Sequence, residues 1–107
     1  MQHTEEIAFL LYLKPGHEAE YQRRHDEIWP ALCAALSEAG ILDYQIYLER
    51  ESGHLYAYQK RRIDHQVDLL PGLPIMREWW DYMADIMEVN PDNSPVVMSL
   101  ERVFRFG

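Results

Sequence analysis

The chain has 107 residues, 48% of them hydrophobic, with ten Lys+Arg against eighteen Asp+Glu and a net charge of −8. Length and apolar share suit one folded domain over residues 1–107 and argue against disorder. The acidic balance repels phosphate backbones, so no nucleic-acid partner is expected. Cys33 is the only cysteine, which rules out an intrachain disulfide; on an Ala/Leu-rich segment it reads as a small hydrophobe. "MQHTEEIAFLLYLK" carries no basic leader, and its apolar stretch is too short to span a bilayer. The expectation is a cytoplasmic protein with no membrane contact.

Residues 6–14 form an apolar run closed by Pro15-Gly16 and predict a buried strand. A helix follows from about His17. Pro30 lacks an amide hydrogen and biases Trp29 out of the α region, so a break falls there, with Pro30 opening a second helical piece that stops at Gly40. "DYQIYLERESGHLYAYQKR" predicts a hairpin: Tyr44, Ile46 and Leu48 alternate with polar neighbours, as do Leu55 and Ala57 beyond a turn at Glu51-Ser52-Gly53. "IDHQVDLLPGLP" allows only a short helix or loop, and His65 falls within it as a turn or helix-start residue. "PIMREWWDYMADIM" predicts a helix with a wide apolar stripe from Met76 to Met87. "EVNPDNSP" is a turn, and "VVMSLERVFRF" a final strand.

The order is β-α-β-β-α-β, an α+β fold of ferredoxin-like type: one antiparallel sheet with helices on one face. Its other face is left to be covered. Tyr12, Tyr47, Tyr56, Tyr58, Phe104 and Phe106 supply much aromatic area to the strands. A second copy of the chain is an economical cover, so a homodimer is expected.

No P-loop, dinucleotide fingerprint, CxxC, HExxH or nucleophile elbow occurs, and the five histidines show no metal-ligand spacing. Metal and cofactor are therefore both expected to be absent, leaving chemistry that side chains manage alone. In "EYQRRHDEIWPAL", Tyr21 and His25 stand four residues apart on one helical stripe. An imidazole gives and takes a proton near neutral pH, and a phenol one turn earlier can hold an oxygen beside it. His25 as a hydrogen-bonded core histidine explains the same pattern. Trp79 and Trp80 point about 100° apart on a helix, so one serves the core while the other reaches an edge where it can line a cleft; both filling a wide core is the alternative. "NPDNSP" offers amide, carboxylate and hydroxyl groups of the kind a polyhydroxylated ligand demands, and Tyr44 adds a possible donor. Imidazole, phenols, indoles and amides together form a sugar-handling vocabulary.

"EYQRRHDEIWPAL", "DYQIYLERES" and "REWWDYMADIMEVNPDNSPV", in this order and spacing, resemble the L-rhamnose mutarotase family over nearly the whole chain. The resemblance implies a dimeric ferredoxin-like α/β barrel that interconverts the α and β anomers of L-rhamnose without metal or cofactor. It places the catalytic acid/base on His25 and substrate-binding roles on Tyr21, Tyr44, Trp79 and Trp80. Two rival readings remain: a non-catalytic sugar-binding module, and a cofactor-independent monooxygenase on the same scaffold.

Overall fold

A computed structural model describes residues 3–107 of the chain. In chain order it contains β1 (Thr4–Tyr12), α1 (Glu18–Asp26), α2 (Pro30–Glu38), β2 (Ile41–Glu49), β3 (His54–Arg62), α3 (Pro74–Met83) and β4 (Met98–Leu100). A 3-10 turn over Val67–Gly72 links β3 to α3. The four strands make one sheet in the order β2-β3-β1-β4, with every neighbouring pair antiparallel. This is the ferredoxin-like α+β arrangement expected from the sequence. Its first helical unit is split where Pro30 occupies the first turn of α2 and Trp29 is extended.

Two glycines set the corners. Gly40 has φ +106°, and a Cβ there would stand 2.8 Å from that of His65. Gly53, with φ +75°, closes the β2–β3 hairpin against the Leu13 carbonyl, which a Cβ would meet at 2.7 Å. Both conditions exclude a larger residue. His65 is thereby fixed in structure: its Nδ1 accepts from the Val67 amide and its Nε2 faces Glu5 at 2.7 Å.

Antiparallel register decides which side chains share a face. Phe9, Ala57 and Ile46 align across three strands, as do Leu11, Leu55 and Leu48. This face lies under the helices, where Leu11 and Leu55 pack in one cluster with Leu32, Met76, Trp79, Met83 and Ile86. The opposite face carries Ala8 beside Tyr58, Leu10 beside Tyr56, and Tyr56 beside Tyr47, with Met98 and Leu100 on the β4 edge. Among the described residues, no helix is long and apolar enough to cross a membrane.

Several boundaries differ from expectation. β1 begins at Thr4 and stops at Tyr12; Leu13 leaves the ladder to bridge Met87. α3 ends at Met83, although Ile86 and Met87 beyond it stay buried in the turn. The final strand is only three residues long, and Phe104 and Phe106 are 76% and 92% exposed. An edge strand has a partner on one side alone, and past Leu100 it is Arg102 and Arg105 that hold to β1, through the Glu6 carboxylate at 2.8 and 3.4 Å. Cys33 is exposed on α2 rather than packed as a small hydrophobe.

Candidate active site

α1 begins after the Pro15-Gly16 turn, with Glu18 and Glu20 in its first turn and Arg23, Arg24 and His25 in its last, charges that complement the helix dipole. Tyr21 and His25 are one turn apart, and their rings lie 4.3 Å apart at a 31° tilt. His25 Nδ1 is 3.0 Å from the Tyr21 carbonyl oxygen. A carbonyl can only accept, so this contact puts the proton on Nδ1 and leaves the lone pair on Nε2. Burial lowers the His25 pKa below its ordinary value, with the Tyr21 carbonyl and the Asp26 charge opposing in part. The imidazole is therefore neutral at neutral pH and ready to take a proton.

The edge of His25 meets Trp79, whose ring centroid is 5.4 Å away at 89°. Trp79 in turn meets Trp29 at 5.1 Å, and Trp29 stacks on Tyr82 at 5.5 Å. Edge-to-face and offset contacts of this kind fix ring orientation as well as burying area. Arg24 ties α1 to the end of α3. Its Nη1 donates to the Tyr82 carbonyl at 2.7 Å and to Asp85 Oδ1 at 2.8 Å, while its Nε donates to Glu20 at 2.7 Å. The guanidinium also lies 4.4 Å from the centre of the Tyr82 ring. His25 and Trp79 are thus held on two helices that Arg24 locks together.

Tyr21, His25, Tyr44, Trp79 and Trp80 all line one cleft of about 570 Å³ between the helices and the sheet. Its remaining wall is largely apolar, from Leu11, Ile46, Leu55, Met76 and Met83, and the exposed Gln22 and Arg50 also border it. Trp79 is 7% exposed and Trp80 is half-buried, so one indole is core and the other reaches an edge, yet both face the cleft. Tyr44 rises from the sheet floor. The residue is 36% exposed as a whole, yet desolvation of its hydroxyl raises the pKa, while the Gln59 side chain and the charge of Arg61 pull it back. Tyr21 is raised as well, by burial and by Tyr44, with no cation among the causes to offset it.

The polar groups of "NPDNSP" serve mostly the turn itself. Asn90 Nδ2 donates to Ser94 Oγ and the Pro95 carbonyl, and Asp92 accepts from the Ser94 amide and hydroxyl. Only Asn93 and Pro95 of this segment line the cleft, and Asn93, at φ 68°, is tied to Asp81 of α3 at 3.1 Å. His65 does not border the cleft. Trp29, Arg24 and Gln59 escape sequence reasoning. Trp29 does continue the Tyr21–His25 stripe at i+4, a signal masked by its more obvious place before Pro30.

A half-buried imidazole with its proton on Nδ1, two phenols and paired indoles border one cleft on a ferredoxin-like α+β frame, an arrangement that can take and return protons. A family model described as L-rhamnose mutarotase matches residues 6–106. An L-rhamnose mutarotase of Acidiphilium cryptum is 55% identical over 100 residues, 94% of this chain and 96% of that one. Another, from Bacteroides thetaiotaomicron, is 55% identical over 97 residues, 91% of this chain and 93% of its own. The crystal structure of an L-rhamnose mutarotase from Formosa agariphila superposes with a TM-score of 0.89 at 43% identity, covering 96% of this chain and 99% of that one. The chain belongs to the L-rhamnose mutarotase family. The sheet-and-helix frame alone is wider: a Nitrosomonas europaea protein named provisionally as an antibiotic biosynthesis monooxygenase shares it with a TM-score of 0.61 at 11% identity.

Proposed function

We propose that this chain is a carbohydrate isomerase that interconverts the α and β anomers of L-rhamnose, or of a closely related sugar, the activity for which its family and relatives are named. The observation that carries the reading is the neutral His25, its free Nε2 in the same cleft as Tyr21, Tyr44, Trp79 and Trp80. Anomer exchange opens the hemiacetal, turns the aldehyde about C1–C2 and recloses the ring. His25 takes the proton from the anomeric hydroxyl on opening and returns it on closing. A positioned acid/base of this kind supplies roughly 10²–10⁴-fold, about 3–5 kcal/mol, enough for a reaction that already proceeds in water.

Tyr21 and Tyr44 bind sugar hydroxyls, and the indoles of Trp79 and Trp80 give flat walls to the apolar faces of the pyranose. The reaction uses side chains alone. Residues 1–107 act as a single domain, a reading supported by one continuous core and by the reach of the family match. The working form is a homodimer that covers the aromatic open face of the sheet.

Saturation-transfer NMR on equilibrated L-rhamnose tests the activity, with L-fucose and common hexoses run alongside for preference. Exchange above the buffer rate is the expected result. Binding without exchange would reduce the protein to a sugar-binding module.

A further inference from the structure

Ring opening needs two proton transfers at one carbon: one from the anomeric hydroxyl and one to the ring oxygen. His25 accounts for the first. Two phenols border the cleft, and the structure distinguishes them by what stands behind each.

Behind Tyr44 lies a relay along the sheet floor. Tyr44 on β2 and Gln59 on β3 are directly opposed across the ladder. Gln59 is 5% exposed, and its Oε1 accepts from Arg61 Nε at 2.9 Å. Arginine has only donors, so this contact fixes the amide: its oxygen faces Arg61 and its NH₂ is left for the opposed Tyr44, whose hydroxyl pKa the Gln59 side chain pulls down. An oxygen that receives this N–H directs its own hydrogen elsewhere, and Tyr44 lines the cleft that holds His25. Apolar side chains also stand beside Tyr44: the Phe9 ring from β1, with centroids 6.4 Å apart, while Met76 and Trp80 from α3 line the same cleft. Tyr21, from α1, lines the same cleft, and Asp68 lines the groove that Tyr44, Gln59 and Arg61 also border.

Tyr21 has no such support. It is 8% exposed, with no cation near enough to offset its burial, so a phenolate there would be buried unpaired. Its backbone carbonyl serves His25.

We propose that Tyr44 is the second proton carrier, donating to the ring oxygen, and that Gln59 and Arg61 are positioning residues that aim its hydroxyl and stabilise the charge it acquires. The inference rests on the mutarotase reading above. As His25 Nε2 takes the O1 proton, the O1–H electrons form the C1=O1 bond. The C1–O5 bond breaks with its electron pair on O5, and O5 takes the Tyr44 proton. The open sugar is neutral, facing an imidazolium and a phenolate. A phenol is a stronger acid than an alkyl alcohol, so this transfer runs downhill once the ring oxygen bears charge. Reclosure returns the O5 proton to Tyr44 and the His25 proton to O1.

Saturation-transfer rates on the full-length chain over a range of L-rhamnose concentrations separate kcat from KM. Tyr44→Phe is expected to lower kcat by about 10²-fold or more while KM moves only a few-fold. Gln59→Leu and Arg61→Leu should each lower kcat by about tenfold at nearly constant KM, and Arg61→Lys should recover most of the loss by keeping a cationic donor. Tyr44→Phe with unchanged kcat and raised KM would overturn the proposal, leaving Tyr44 a binding group. Equal losses for Arg61→Lys and Arg61→Leu would overturn the relay. Circular dichroism and sugar-induced tryptophan fluorescence check each fold; if Tyr44→Phe does not fold, the Gln59 and Arg61 series decides the matter. A wild-type chain that exchanges no anomers would remove the mutarotase reading and this inference together. An active wild type with a fully active Tyr44→Phe would remove this inference alone.

Discussion

At the scale of single residues, one hydrogen bond gives His25 its direction. Donation from Nδ1 to the Tyr21 carbonyl leaves Nε2 as the basic atom, and burial keeps the ring neutral. His25→Ala is expected to lower anomer exchange by about 10²–10⁴-fold in a chain that still folds, as read by saturation-transfer NMR and circular dichroism. Because the folded pKa lies below the ordinary 6.5, the acid limb of kcat should fall below pH 6.5. Linkage has the same origin. Between the ordinary value and the lowered one, the unfolded chain binds more protons than the folded chain. Stability therefore declines as pH drops through that window and levels below it. His25→Gln should flatten that decline in urea unfolding measured across pH. Tyr21 has a different task. In the proposed reading its hydroxyl binds the sugar, so Tyr21→Phe should raise KM by up to about tenfold, the equivalent of about 0.5–1.5 kcal/mol, with kcat little changed.

Among elements, the decisive contact joins α1 to the end of α3 through Arg24, a side chain only 8% exposed. Arg24→Met strips the Tyr82 carbonyl and Asp85 of their donor and should cost about 2–3 kcal/mol, visible as a lower urea midpoint. Arg24 also holds the Asp85 carboxyl below its ordinary pKa. That part of the clamp is in place above the ordinary carboxylate range and is lost as pH falls through the depressed value, so the variant should lose this acid-induced destabilisation. None of this was legible in "YQRRH", where Arg23 and Arg24 look alike; the helix turns one to solvent and the other to a partner 61 residues away. Local signals did reveal the break at Pro30, the stop at Gly40 and the hairpin, since each depends on backbone chemistry within a few residues. Tyr21 and His25 were readable for the same reason, sharing a stripe. Gln59 was not: its meaning comes from standing opposite Tyr44, a matter of register between strands. The final strand is present but shorter than its alternation suggests, for a related cause. Alternation over "VVMSLERVFRF" describes a capable strand, whereas pairing requires a neighbour, and the ladder with β1 ends at Leu100.

Across the whole molecule, the sheet has one face under the helices and one that the chain leaves open. Tyr47 is 63% exposed, Tyr56 42%, Met98 54% and Leu100 39%, and register places them side by side on that open face. A contiguous aromatic and aliphatic patch of this kind is the usual mark of an interaction surface. The proposed occupant is a second copy, which would bury Tyr47 and Tyr56 together with Leu10 beneath them. Each copy brings a charge of −8, so association must overcome mutual repulsion that salt screens. Light scattering at micromolar concentration should report twice the chain mass, with dissociation on dilution more pronounced at low ionic strength than in 0.15 M salt. Tyr47→Asp sets a further negative charge in the patch and should shift the mass toward a single chain, whereas Tyr47→Phe should keep the dimer by retaining its apolar area. A wild-type mass equal to one chain in 0.15 M salt would remove the dimer and leave the open face without its proposed cover.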